Sequence, residues 1–158
     1  MVAILINMSI KSPFFLGMAR ITVNDLQLDP LKHIDGVKVK ALARNFQRSG
    51  CRKQDVACAV PALVNPTDLN AALARANLSP SVLTEGDCYP LLHFMDSEKP
   101  NVLYGDHRLR AVESLRRNER WWLVSLYNQS WSEVFHIEIL GTNRAQVLLQ
   151  MIELAYCN

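Results

Sequence analysis

Tyr104-Gly105-Asp106-His107-Arg108-Leu109-Arg110-Ala111, with Trp121-Trp122-Leu123-Val124-Ser125-Leu126-Tyr127 close behind it, is the stretch whose reading decides the fold. Val102-Leu103-Tyr104 reads as a strand, Gly105 as a tight turn, and Asp106 to about Arg117 as a helix. Leu109, Val112 and Leu115 recur every three residues along that helix, which leaves the arginines on its other faces. The second segment reads as a buried strand with Trp121 and Trp122 on opposite faces. A strand–Gly–helix junction gathers unpaired backbone N–H groups and the positive end of a helix dipole at one point. His107 and Arg108 stand beside that point, and a planar guanidinium fork suits phosphate or carboxylate. Asp106 reads first as a cap or first-turn acid, and its charge opposes an anion placed directly over it.

Outward from the junction, strands alternate with helices. Phe14 to Val23 is rich in aromatic and β-branched residues and reads as a first strand. Asp25 to Gly36 is polar and reads as a loop. Val39, Leu42, Ala43 and Phe46 fall at i, i+3, i+4 and i+7, so Val37 to Ser49 reads as an amphipathic helix with Lys38, Lys40, Arg44 and Arg48 off its apolar face. Gly50 sits where a helix-terminating glycine belongs. A basic loop, Cys51 to Cys58, leads to the short strand Val60-Pro61-Ala62-Leu63-Val64. Asn65 or Thr67 caps a helix over Leu69 to Ala76, and Tyr89 to Met95 reads as a further strand. Val134 to Leu140 reads as a strand and Ala145 to Tyr156 as a helix. The class expected is α/β (α+β), with a small mixed sheet and three or more helices.

Composition narrows the function classes. The 158 residues suit one domain, and 17 Lys and Arg against 15 Asp and Glu give a net charge of only +2, so an anion-binding case must rest on local clustering. Cys51, Cys58, Cys88 and Cys157 form no C-x-x-C pair and no zinc-ligand spacing, which favours reduced thiols in the cytoplasm or nucleus. MVAILINMSI is apolar but lacks a basic flank and meets Lys11 and Pro13 well short of the ~20 residues of a membrane span. No metal cluster is legible.

Three passages resemble the ParB/sulfiredoxin-like fold. Ala41 to Gly50 followed by Val60 to Val64 resembles its helix–glycine–strand unit, Gly105 to Ala111 its phosphate-contacting motif, and Trp121 to Tyr127 the strand that follows. The chain is most similar to a fungal branch reading F-L-G-x-A-R-I, glycine–Cys–Arg, G-R-H-R and W-W-x-V-x-L-Y, matched here by Phe15 to Ile21, Gly50-Cys51-Arg52, Gly105 to Arg108 and Trp121 to Tyr127. The resemblance covers residues 15–127, leaving 1–14 as a ragged lead-in and 128–158 as a divergent extension of what reads as a shortened member. It departs from the family at two points. Asp106 stands where sulfiredoxin has its nucleophilic cysteine, which argues against sulfinic acid reduction, and ParB's downstream motif and DNA-reading helices have no counterpart.

The resemblance implies a nucleotide or other small anionic ligand held by Gly105 and Arg108, with Arg52 drawn into the same pocket. His107 and Asp106 are its candidate catalytic residues, for phosphoryl or nucleotidyl chemistry with a nucleotide and Mg2+. Two other readings stand beside it. One is a tRNA-dependent synthase of arginine-containing cyclodipeptides, which makes nucleic acid a partner; the other is a truncated, inactive interaction module. No membrane partner is expected.

Overall fold

In a computed structural model, residues 14–85 and 88–130 are described. The strand and helix read over Val134 to Leu140 and Ala145 to Tyr156, the first thirteen residues, and Cys157 lie outside them. Among the described residues the α/β expectation is met. Strands β1 (Phe15–Thr22), β2 (Val60–Val64), β3 (Leu91–Leu92), β4 (Asn101–Val102) and β5 (Trp121–Asn128) form one mixed sheet in the order β3-β1-β5-β2-β4. β1 runs antiparallel to β5 and parallel to β3, while β2 runs parallel to β5 and antiparallel to β4. Among the described residues three α-helices accompany it: α1 (Gly36–Ser49), α2 (Pro66–Arg75) and α3 (Asp106–Val112).

The alternation of the strands sorts the core. Ala19 and Ile21 of β1, Val60, Ala62 and Val64 of β2, and Trp122, Val124 and Leu126 of β5 share one buried cluster with Leu69 and Leu73 of α2 and Leu109 and Val112 of α3. The intervening Leu63 and Tyr127 form a second cluster with Phe14, Phe15 and Leu103. The central strand β5 therefore has neighbours on both sides and apolar contacts on both faces, which is why it carries almost no polar residue. Trp122 is buried and Trp121 half-buried, one on each face as expected.

The local sequence signals act as their chemistry requires. The stripe Val39, Leu42, Ala43 and Phe46 faces the domain, half-buried, with the Phe46 ring 5.9 Å from that of Trp122. Gly50 ends α1 at φ 80°, a conformation that favours glycine. Asn65 caps α2 by accepting from the Thr67 N–H, with Pro66 in the first turn. Gly17, at φ 127°, lets β1 pass against Leu83, whose Cβ lies 2.4 Å from where an alanine methyl would sit.

Three boundaries differ from the sequence reading. The helix expected from Asp106 to Arg117 ends at Val112, because Ser114 and Leu115 turn to tighter bonds with Ala111 and Val112. The strand expected over Tyr89 to Met95 contracts to Leu91–Leu92. There the Asp25 carboxylate accepts from the Phe94 N–H and pairs with His93, drawing the chain out of the sheet. The strand of the junction, read over Val102 to Tyr104, is shifted, with β4 occupying Asn101–Val102 and stopping before Leu103.

Candidate functional site

β4, Gly105 and α3 form the predicted junction, with Gly105 at φ 102° as the residue before the helix. A Cβ there would meet Val60 Cγ2 at 2.8 Å, so both the backbone angle and the approach to β2 call for glycine. Leu109 donates to the Gly105 carbonyl and starts the helical ladder. The N–H groups of Asp106, His107 and Arg108 precede that first bond, and no side chain among the described residues caps them. The neighbouring helix start differs. Asp35 caps α1 with its own carboxylate, accepting from Val37 N–H at 2.9 Å and Lys38 N–H at 3.3 Å. Those amides, Lys38 first, hold the Asp35 carboxyl below the usual carboxylate range. Two helix N-termini thus meet here, one already capped by an acid and one open.

His107 joins them. Its Nε2 accepts the backbone N–H of Asp35 at 3.0 Å, which places the ring proton of the neutral imidazole on Nδ1 and leaves that N–H as a donor. Arg108, half-buried, donates to the Cys58 carbonyl at 3.4 Å and pairs with no acid among the described residues. Cys58 O accepts a shorter bond, 2.8 Å, from Trp122 Nε1, so the guanidinium is held only loosely. Other half-buried cations are held by shorter bonds: Lys99 with Asp96 at 2.6 Å, Arg20 with the Tyr89 carbonyl at 2.8 Å, and Arg120 with the Leu115 carbonyl at 2.8 Å.

Asp106 has an unexpected place. Its residue is 2 % exposed, and its Oδ2 accepts from Lys32 Nζ at 2.6 Å. Its Oδ1 is buried with no partner among the described residues. The acid read as a cap or first-turn residue is therefore half of an ion pair with the loop before α1. Lys32 also donates to the Leu103 carbonyl at 3.4 Å. A proline creates that opening. The β2–β4 register sets Pro61 opposite Leu103, and Leu103 N–H donates to Pro61 O at 3.0 Å, but Pro61 has no N–H to return. The carbonyl left over takes the ammonium of Lys32.

Tyr104, 39 % exposed, completes the arrangement. Lys32 Nζ lies 5.7 Å and Arg108 Cζ 5.9 Å from its ring centroid, so two cations converge on one aromatic ring beside the open helix start. Arg52 is not brought there. Its side chain is 80 % exposed and paired with Asp55 three residues on, although its loop does reach the turn through the Cys58 carbonyl. Lys32, Asp35 and Tyr104 are the residues that sequence reasoning missed. The i, i+3 spacing of Arg52 and Asp55 was legible, whereas Lys32 and Asp106 are 74 positions apart and carry no local signal.

The turn offers one carboxylate, committed to Lys32, and no group of three or more His, Cys, Asp or Glu among the described residues is placed to hold a metal. These residues do not fit a dedicated Mg2+ site, which requires several oxygen ligands. No helix among the described residues is long and apolar enough to cross a membrane.

The chain is thus an α/β domain with a glycine-turned, cation-lined helix start. It belongs to the family described as the N-terminal domain of a protein of unknown function (DUF3723), whose profile matches residues 14–142. Among curated proteins none matches it. Among solved structures it is similar to the C-terminally truncated chromosome-partitioning protein ParB from Caulobacter crescentus, complexed with CTP-gamma-S. That likeness has a TM-score of 0.39 and 10% identity, and covers 89% of this chain and 71% of that one. A likeness of that depth fixes neither a fold family nor a ligand.

Proposed function

We propose that the Gly105–Arg108 turn binds the phosphate of a nucleotide or other phosphorylated small molecule. The observation that carries this reading is the convergence of two half-buried cations, Lys32 and Arg108, on Tyr104 beside unpaired helix amides. Among the described residues Arg108 has no acid to give up and one long hydrogen bond to break. Its fork, the amides of residues 106 to 108 and the Nδ1–H of His107 are all donors, and a phosphate is all acceptor. Asp106 would repel such a ligand were it free, but Lys32 neutralises it and keeps it below the surface.

The arrangement supports binding better than turnover. His107 is a donor rather than a base, because its acceptor nitrogen is already used by Asp35. Asp106 is enclosed with Lys32 and has no exposed oxygen to offer a metal or a proton. A magnesium ion arriving with a nucleotide would be held by the phosphates it carries.

Thermal unfolding in the presence of ATP, CTP and tripolyphosphate tests the reading. A ligand at a hundredfold excess over its Kd adds about 2.7 kcal/mol of stability, a rise of roughly 5–10 °C for a chain of this size. Arg108→Ala removes that rise with little change in the unliganded melting temperature. No rise with any of the three, or an undiminished rise in the variant, rejects the proposal.

A further inference from the structure

We infer that the exposed flank of helix α1 is a docking row for the phosphodiester backbone of a nucleic acid, separate from the small-anion turn. Helix Gly36–Ser49 contains Lys38, Lys40, Arg44 and Arg48 and no acidic residue, although the whole chain carries a net charge of only +2. Lys40, Arg44 and Arg48 stand at i, i+4 and i+8, where side chains line up along one flank. All three are exposed, and none makes an ion pair or hydrogen bond with a described residue. Like charges at that spacing weaken an isolated helix, and this helix has no acid of its own to offset them. A polyanion relieves that repulsion.

The dimensions and surroundings favour nucleic acid over a membrane. At 1.5 Å per residue the row is ~12 Å long, enough to follow about three or four phosphates of one strand. Asn45 and Gln47 are exposed on either side of it and add neutral hydrogen-bonding groups. A helix lying on a bilayer needs a free apolar face. Here Val39, Leu42, Ala43 and Phe46 are turned onto the domain, with Phe46 against Trp122. The shared chemistry is a chain of phosphodiesters, and the experiment separates single strands from duplexes.

Fluorescence anisotropy with a labelled 20-nucleotide poly(dT), a poly(U) of equal length and a 20-base-pair duplex provides the test. Three phosphate contacts on a single strand give a log–log salt slope near −2, which is roughly 20-fold weaker binding between 50 and 200 mM salt. The triple variant K40Q/R44Q/R48Q is expected to lose at least tenfold in affinity and most of that slope. Glutamine keeps helix propensity, and circular dichroism confirms that the variant folds. The charge-matched variant R110Q/R116Q/R117Q, on other exposed arginines, is expected to bind as the parent does. Equal losses in the two triple variants would mean that binding follows net charge and would overturn the row. So would an absence of oligonucleotide binding at 50 mM salt, or binding only to vesicles of phosphatidylserine and phosphatidylcholine.

Discussion

Replacing Lys32 by Met should be among the most damaging single changes on the surface of this domain. The Asp106 side chain is 1% exposed, its Oδ2 has Lys32 as partner at 2.6 Å, and its Oδ1 has none among the described residues. Removing the ammonium leaves a carboxylate enclosed without compensation, which costs about 3–5 kcal/mol for a fully buried pair. Because the Lys32 side chain is 33% exposed, some water already reaches the pair, and we expect the lower end, about 3 kcal/mol. For a chain of this size that is a fall in melting temperature of roughly 6–12 °C. Asp106→Asn should cost less, about 1–2 kcal/mol, since the freed lysine turns to solvent. In the double variant no bare charge remains, so K32M/D106N should be more stable than K32M alone. The coupling in the cycle should be about 2 kcal/mol, within the range for residues in contact. Urea unfolding of the four proteins measures it. A K32M variant within about 0.5 kcal/mol of the parent, or strict additivity across the cycle, would show that the two groups are not the buried pair described.

Gly105→Ala should destabilise by about 2–4 kcal/mol, combining the cost of a left-handed backbone for an L residue with the contact on Val60 Cγ2 at 2.8 Å; an unchanged urea midpoint would contradict it. Acid should weaken the domain through its lowered carboxyls: amides hold Asp35 down, and the hydrogen bond from Arg75 holds Glu98 down. Their contribution is present above the ordinary carboxylate range near pH 4 and is lost as pH falls through the lower folded values, so Glu98→Gln should flatten the stability profile below about pH 4. Burial pushes the Cys51 thiol up, whereas Cys88 is exposed. Iodoacetamide should therefore label Cys88 well before Cys51 at pH 8 in the folded protein, and peptide mapping that finds the reverse order would contradict the placement of Cys51.

What the sequence revealed and what it hid divide along contact range. The α1 stripe, the Gly50 stop, the Asn65 cap and the two tryptophans of β5 are set within a few residues, and each stands where its chemistry put it. Gly105 was legible for the same reason. The partners that define the site come from elsewhere in the chain. Asp106 reads as a cap or first-turn acid until Lys32 arrives from the loop after β1, and His107 reads as a candidate catalytic residue until Asp35 donates to its acceptor nitrogen. Pro61 leaves the Leu103 carbonyl opposite it without a ladder donor, and nothing in the sequence says that the donor is Lys32. Arg52 was assigned to the turn by analogy, and a nearer acid, Asp55, holds it instead.

The most direct test of the central claim is an amide chemical-shift titration of the 15N-labelled chain with a nucleoside triphosphate. The largest saturable shifts are expected at the amides of Asp106, His107 and Arg108, with a matching change at the Arg108 side-chain Nε. Saturable shifts centred elsewhere in the domain, with those three amides unmoved, would contradict it.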